Sequence, residues 1–168
     1  MSSLTTIEVN KEDMKFSAAH FTIFSATERE RVHGHNFRVS MSISSPANGN
    51  GLAFSYKLLK DKMRALCDEL DEYTLLPAQS PYLTIAEQGL YYHAAFNGET
   101  LIFLQSDCKL LPIPNTTVEA FADYLLGRFL HDDDFVARYD IFQVEMKVSS
   151  GPGQWGSCQW RAKDEQNP

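Results

Sequence analysis

The sequence is poor in cysteine: only Cys67, Cys108 and Cys158 are present, and they stand far apart. This number and spacing match neither a disulfide framework nor a zinc knuckle. We therefore expect neither a disulfide-stabilised secreted module nor a metal site built from cysteines.

Clusters of basic residues and long apolar runs are also lacking. The formal net charge is -7, with no long run of Lys or Arg, which argues against nucleic acid or an anionic membrane as the main partner. No apolar segment approaches the roughly 20 residues that span a bilayer. The first residues lack the basic and apolar regions of a secretory signal. The sequence therefore predicts a cytoplasmic enzyme, with no nucleic-acid partner and no membrane partner.

The 168 residues are enough for one domain with a real hydrophobic core. No linker-like segment interrupts the chain before its polar end. We expect a single domain over residues 1–162, followed by a frayed tail over residues 163–168.

What the chain does contain is a group of three histidines. His20 is followed thirteen and fifteen residues later by His33 and His35. Side chains two apart on a strand point the same way, so His33 and His35 can bind one ion, and His20 can join them from a paired strand. Three imidazoles with one open position predict a catalytic zinc site. The alternative is that some of them are ordinary strand or turn histidines.

Alternating and helical patterns predict the secondary structure. Phe37, Val39, Met41 and Ile43 alternate with polar residues, as in a half-buried strand. The predicted elements are strands at about 4–20 and 33–45, a helix from about Ser55 (N-cap) to Leu70, short strands between 83 and 104 with a turn at Asn97-Gly98, a helix from Thr116 to about Leu130, a solvated loop at Asp132–Asp134, and strands at 142–148 and 155–160.

Four motifs together resemble one protein family. Residues 16–20, 33–37, 70–71 and 117–122 are similar, in order and spacing, to the 6-pyruvoyltetrahydropterin synthase and 6-carboxytetrahydropterin synthase family. The resemblance covers most of the chain apart from about 78–112, an expected insertion with an extra hairpin. It implies an α+β tunnelling fold (T-fold), with an antiparallel sheet and two helices on one face. It also implies a homo-oligomeric barrel, commonly a hexamer formed as a dimer of trimers.

The resemblance further implies a zinc ion, Zn²⁺, bound by His20, His33 and His35, and a pterin at a subunit interface. Glu119 is similar to a family glutamate near the pterin ring, where a carboxylate can accept paired hydrogen bonds. Thr117 is similar to the threonine beside that glutamate. Thr116 and Glu119 also fit a capping box, and both interpretations can hold.

The catalytic group differs from the family pattern. Synthases of this family place a cysteine shortly before the paired histidines, but residues 25–32 contain none. Glu30 instead resembles the glutamate of paralogues that cleave dihydroneopterin to 6-hydroxymethyldihydropterin. A carboxylate near zinc could take the substrate hydroxyl proton that a retro-aldol cleavage requires. The alternative is that residues 28–31 form an exposed, charged loop.

Two further positions differ from the family. Its Asp-His pair appears here as Asp71-Glu72, so both carboxylates are candidate catalytic residues, in a coupled cluster with Glu28 and Glu30. An ordinary glutamate has a lower pKa than histidine, so it does not simply replace that histidine as a proton relay. His93 is a candidate for the missing histidine.

The family's pterin-anchoring glutamate is replaced by Ser149 or Ser150. Gln154 could compensate with its amide and Trp155 with a stacking face. The alternative is that this segment is only a tight turn.

These observations predict a zinc-dependent lyase of this family. Its small-molecule substrate is expected to be a dihydropterin with a hydroxylated side chain, either dihydroneopterin or its triphosphate. One alternative is a zinc-binding T-fold protein that binds another heterocycle or regulates a partner without lyase activity. Another is a zinc enzyme with a non-pterin substrate. The basic residues available for a triphosphate are Lys15, Arg29, Arg31 and Arg38.

Overall fold

Two β-sheets and three helices form the computed structural model, which describes residues 4–131 and 133–162. The predicted tail at 163–168 lies outside the described residues, as does Asp132. The strands are β1 (Leu4–Val9), β2 (Lys15–His20), β3 (His33–Pro46), β4 (Tyr73–Pro77), β5 (Thr84–Gln88), β6 (Tyr91–Phe96), β7 (Glu99–Leu104), β8 (Cys108–Leu111), β9 (Gln143–Gly151) and β10 (Gln154–Arg161). The helices are α1 (Tyr56–Asp68), α2 (Val118–Leu130) and α3 (Asp133–Arg138).

The long strand β3 is the centre of the larger sheet. Its first half pairs with β2 and its second half with β1, while β9 lies along its other edge. The expected single strand over 4–20 is therefore two strands, separated by a turn in which the Met14 amide donates to the Lys11 carbonyl. The strand order is β10-β9-β3-β2-β4-β8. Because β4 runs parallel to both β2 and β8, the sheet is mixed rather than antiparallel throughout.

The core lies between this sheet and helices α1 and α2. The predicted alternation on β3 is confirmed, since Phe37, Val39, Met41 and Ile43 are all at most 1 % exposed. They pack against buried residues of both helices, including Leu59 on α1. Burying each such side chain contributes about 1.5–3 kcal/mol. The α+β class and the two helices on one face are thus confirmed.

The inserted region forms a separate three-stranded antiparallel sheet, β5-β6-β7, which confirms the short strands predicted between 83 and 104. The predicted turn is confirmed: Asn97 and Gly98 have φ angles of 47° and 79°, which a tight hairpin turn of this type requires. One face of this sheet packs on Phe21, Ile23 and Leu76 in a second hydrophobic cluster. The insertion is therefore attached to the segment that links β2 and β3.

The predicted acidic loop at 132–134 is wrong for its described part, because helix α3 begins at Asp133. Phe135 is 7 % exposed and packs its ring on Phe54 and Phe129. This apolar anchor outweighs the local preference of aspartate for loops. Among the described residues, no helix is long and apolar enough to cross a membrane. The single-domain assignment over 1–162 stays a prediction.

Candidate metal centre and active-site pocket

The pairing of β2 with β3 brings the three histidines together. His20 lies directly opposite His33, and Ala18 lies opposite His35. One ligand nitrogen from each histidine lies within 4.8 Å of the others. The three side chains therefore lie on one side of the paired strands, as strand parity predicts.

Backbone carbonyls orient two of the imidazoles. His20 Nδ1 lies 2.8 Å from the Thr116 carbonyl oxygen, and His33 Nδ1 lies 2.8 Å from that of Arg31. A carbonyl only accepts hydrogen bonds, so each Nδ1 carries the proton and each Nε2 keeps its lone pair. This second hydrogen bond is typical of metal-binding histidines.

The three Nε2 atoms fit a metal ion. His20 Nε2 is buried and has no hydrogen-bond partner among the residues that the structure describes. The Nε2 atoms of His33 and His35 lie 3.0 Å apart, close to the separation of about 3.3 Å expected for two nitrogens on a tetrahedral zinc ion. Burial lowers the pKa of His20, and the neighbouring His33 and His35 add to this effect. His20 therefore favours the neutral form that binds metals.

Glu30 lies in the same cavity as the histidines, which has a volume of about 670 Å³. Its Oε2 accepts a hydrogen bond of 2.9 Å from the Thr22 amide and lies 3.9 Å from His33 Nε2. Partial burial raises the pKa of Glu30, but hydrogen bonding from Thr22 and the nearby His33 and His20 outweigh it. The net pKa lies below the ordinary value, so the carboxyl is ionised at neutral pH and can accept a proton.

The first turn of α2 supplies the other side of the cavity. The N-cap of α2 is Thr117, whose Oγ1 accepts a hydrogen bond of 3.2 Å from the Ala120 amide. The expected capping box of Thr116 and Glu119 is therefore wrong by one residue, and the Thr116 amide donates to Asn115 instead. Glu119 and Thr117 both line the cavity that contains the histidines.

The turn between β9 and β10 forms the remaining wall. Gln154, Trp155 and Ser150 line the cavity, and Gln154 Nε2 donates to Ser150 Oγ at 3.2 Å. Ser149, in contrast, is 1 % exposed and its hydroxyl donates to the Gly151 carbonyl. Of the two serines named from the sequence, the structure brings Ser150 to the cavity.

Asp71 and Glu72 do not line the cavity of Glu30. They line another cavity with Asp68 and Tyr73, and Glu72 also lines a third cavity that borders His35. Asp71 Oδ1 accepts a hydrogen bond of 2.7 Å from the Ser17 amide, and the Glu72 amide donates to the Ser17 carbonyl at 2.7 Å. His93 lies on β6 in the smaller sheet, opposite Ile102. The cluster of four carboxylates is therefore not assembled within one chain.

Two residues that support the site were not identified from the sequence. Thr22 orients Glu30, as described above. Asn115 fixes the adjacent backbone: its Oδ1 accepts from the Ile23 amide at 3.0 Å and its Nδ2 donates to the Ile23 carbonyl at 2.8 Å. The one sequence feature that pointed to Asn115 was its position just before the two threonines that precede α2.

Known proteins resemble this chain over most of its length. The sequence model of the 6-pyruvoyl tetrahydropterin synthase family matches residues 8–155. A relative from Methanocaldococcus jannaschii, provisionally named 6-carboxy-5,6,7,8-tetrahydropterin synthase, is 27% identical over 148 residues, covering 86% of this chain and 88% of the relative.

Solved structures of 6-pyruvoyl tetrahydropterin synthases are similar in fold. The Plasmodium vivax protein has a TM-score of 0.90 and 27% identity, covering 95% of this chain and 99% of that protein. The Plasmodium falciparum protein has a TM-score of 0.90 and 25% identity, with the same coverage of each chain. The T-fold expected from the motifs is thereby confirmed. The family match over residues 8–155, together with the histidine group, shows that this chain belongs to the 6-pyruvoyl tetrahydropterin synthase family.

Proposed function

We propose that this protein is a zinc-dependent lyase that cleaves the hydroxylated side chain of a dihydropterin, either dihydroneopterin or its triphosphate. The observation that carries the proposal is the position of Glu30, whose Oε2 lies 3.9 Å from His33 Nε2 in the histidine cavity. An ionised carboxylate beside a metal site is the arrangement that a retro-aldol cleavage needs.

Glu30 acts as the base. It takes the proton from the hydroxyl on the second carbon of the substrate's side chain. The bond between the first and second side-chain carbons then breaks, and the outer fragment leaves as an aldehyde. The electron pair of that bond passes into the dihydropterin ring, and return of a proton to the first carbon completes the 6-hydroxymethyl product. The Thr22 amide holds the carboxylate in place, so little reorganisation is needed when the proton moves. A zinc ion bound by the three histidines would supply a Lewis acid that stabilises negative charge on the substrate's oxygen atoms.

The opposite wall of the cavity binds the ring. Glu119 accepts hydrogen bonds from the ring amide and the exocyclic amine of the pterin. Its carboxylate has no capping role towards Thr116, which leaves it available for a ligand. Thr117, Gln154 and Trp155 add polar contacts and a stacking surface along the same wall.

A relative with a catalytic glutamate supports the assignment of Glu30. Two further solved structures of the Plasmodium vivax synthase are variants in which a catalytic glutamate is replaced, by alanine in one and by cysteine in the other. In this chain the glutamates that line the histidine cavity are Glu30 and Glu119, among the described residues. Glu30 is the one close to a histidine ligand.

The choice between the two substrates depends on charge. The described lining of the cavity contains Glu30 and Glu119 but no Lys or Arg. Arg29, one of the basic residues considered for a triphosphate, contacts Glu99 and the Glu30 carbonyl instead. A triphosphate would therefore extend beyond this lining.

We further propose that the protein acts as a homo-oligomer, with a hexamer of two trimers as the expected form. Asp71 and Glu72 are not among the residues that line the cavity of Glu30 in their own chain, and we propose that they reach this cavity in a second copy. Glu72 has a φ of 63°, a strained conformation for this residue, and such strain is often kept at functional sites. The cytoplasmic location stays a prediction.

The test is turnover by the zinc-loaded protein. Purified protein is incubated separately with dihydroneopterin and with its triphosphate, and the products are separated by chromatography. We expect release of a 6-hydroxymethyl dihydropterin from at least one substrate. Glu30→Gln, which keeps the shape but not the base, should lower kcat by about 100-fold or more.

Glu28→Gln is the matched control, because Glu28 is an exposed glutamate of the same loop. It should retain kcat within about two-fold of the unmodified protein. Lack of turnover with both substrates would contradict the lyase proposal and favour a zinc-binding T-fold protein with another ligand. Equal losses in the two variants would contradict the role of Glu30.

A further inference from the structure

Arg29 lies where the inserted sheet meets the loop that carries Glu30. Its guanidinium carbon is 5.6 Å from the ring centroid of Phe21 and 5.6 Å from that of Phe96. Phe21 follows β2, and Phe96 is the last residue of β6 in the insertion. Arg29 therefore joins two parts of the chain that are far apart in sequence.

The same guanidinium makes two polar contacts. Its Nη1 donates to the Glu30 carbonyl at 2.9 Å, and its Nη2 donates to Glu99 Oε2 at 3.3 Å. The Arg29 side chain is 18% exposed, whereas the Glu99 side chain is 71% exposed. The contacts with the two rings and with the Glu30 backbone are thus the shielded ones, and the ion pair with Glu99 is screened by solvent.

The loop itself is a small hairpin that ends at Glu30. The Glu30 amide donates to the Thr22 carbonyl at 2.8 Å, and Ile23 and Arg29 form an isolated β-bridge. The Thr22 amide donates to the Glu30 carboxylate, so the hairpin and the side chain share one set of hydrogen bonds. A displacement of Arg29 would therefore move both the backbone of the hairpin and the Glu30 carboxylate.

We propose that Arg29 is a positioning residue and that the inserted sheet β5-β6-β7 is the support through which it holds Glu30 beside the histidines. This inference rests on the proposed role of Glu30 as the base. The insertion provides Phe96 and Glu99, and its inner face packs on Phe21 and Ile23, on the strand of the hairpin opposite Glu30. The extra sheet is therefore part of the catalytic apparatus rather than a surface addition.

Arginine suits this position better than lysine. A planar guanidinium can stack between two rings and donate in two directions at once, whereas an ammonium is a compact point charge. Arg29→Lys should therefore keep the charge but lose one or more of the contacts. This variant also provides a milder change than Arg29→Gln if the latter folds poorly.

The first arm of the experiment does not depend on activity. Hydrogen–deuterium exchange is measured on the zinc-loaded protein for the amides of Thr22 and Glu30. In Arg29→Gln we expect both to exchange about 10-fold faster or more, because their local opening becomes easier. Arg31→Gln, which removes the same charge from an exposed position in the same loop, should leave exchange unchanged. Equal exchange in the two variants would overturn the proposal.

The second arm is a double-mutant cycle in turnover. Arg29→Gln should lower kcat by about 10-fold with KM and zinc content within about two-fold, and Arg29→Lys should lie between it and the unmodified protein. In a Glu30→Gln background, Arg29→Gln should cause no further loss, because it acts through Glu30. Multiplying losses would show a general structural role and overturn the proposal.

The two arms separate this inference from the proposed function. If the unmodified protein turns over neither pterin, the lyase proposal fails, and the exchange measurement still decides whether Arg29 orders the loop. If turnover occurs but the losses multiply, the lyase proposal stands and the positioning role of Arg29 is wrong.

Discussion

The two carboxylate segments of this protein precede the two strands that flank β2, and they differ in what they contact. Glu30, in the connection between β2 and β3, points into the histidine cavity and is held by the Thr22 amide. Asp71 and Glu72, just before β4, are tied to Ser17 and line another cavity. Similar residue types near the same strand therefore line different cavities of one chain.

The largest effect should come from removing one of the three histidines that lie beside Glu30. His33→Ala removes one of the three ligand nitrogens, so we expect zinc content to fall from about one per chain to near zero and turnover to fall by about 1000-fold. Metal analysis by mass spectrometry checks the first result. His93→Ala, in the smaller sheet, is the control and should keep its zinc.

The next prediction compares the two carboxylate segments directly. Glu30→Gln should lower kcat by about 100-fold, and Glu72→Gln by about 10-fold, with zinc content unchanged in both. If Glu72 serves a neighbouring copy, refolding the two variants together should restore part of the activity, because some cavities then receive both native residues. Wild-type kcat in Glu72→Gln, or no recovery on mixing, would contradict the shared site.

A smaller effect, on stability, is expected from a substitution at the point where β10 packs on the first turn of α2. A Cβ on Gly156 would lie 2.8 Å from the Glu119 amide nitrogen and 2.8 Å from the Val118 carbonyl carbon. Gly156→Ala should therefore lower the free energy of unfolding by about 1–3 kcal/mol and displace the first turn of α2. Denaturant titration measures this loss.

Gly127→Ala is the control for the same helix. Its added Cβ would meet no atom within 4 Å, and alanine is the better helix former. We expect it to raise the free energy of unfolding by about 0.5–1 kcal/mol. A stabilised Gly156→Ala variant would show that β10 does not pack tightly on α2.

The smallest effect should follow alkylation of the thiols. Burial raises the pKa of Cys67 to about 12 and that of Cys108 to about 11, and burial also raises the pKa of Cys158. Thiolate is the reactive form, so native thiols should react slowly at neutral pH. Treatment with iodoacetamide should leave kcat unchanged. Loss of activity that substrate prevents would indicate a catalytic cysteine in place of Glu30.

The local parts of the site could be predicted from the sequence because short-range rules govern them. Strand parity places His33 and His35 on one side, and the alternation on β3 identifies its buried face. The same rules placed the α2 cap at Thr116, one residue too early, because Thr116 and Thr117 are equally good caps by residue type. The Thr116 hydroxyl instead donates to the Phe21 carbonyl, which leaves Thr117 as the cap.

The remaining features depend on contacts between distant parts of the chain. The parallel pairing of β4 with β2 and β8, and the anchoring of α3 by Phe135, come from packing that no local pattern specifies. The support of Glu30 by Arg29 likewise needs Phe96, which lies in the insertion. The alternation of Glu and Arg over residues 28–31 therefore does not indicate which charged side chain is shielded from solvent.

The zinc site proposed for the three histidines is tested by locating the metal in crystals. Crystals of the zinc-loaded protein are measured at the zinc absorption edge, and an anomalous difference map is calculated. We predict one peak per chain, about 2.0–2.1 Å from the Nε2 atoms of His20, His33 and His35, with the Glu30 carboxylate facing the same cavity. A map without this peak, or with zinc bound at Cys108, Cys158 or His93 instead, would show that the three histidines do not form the zinc site.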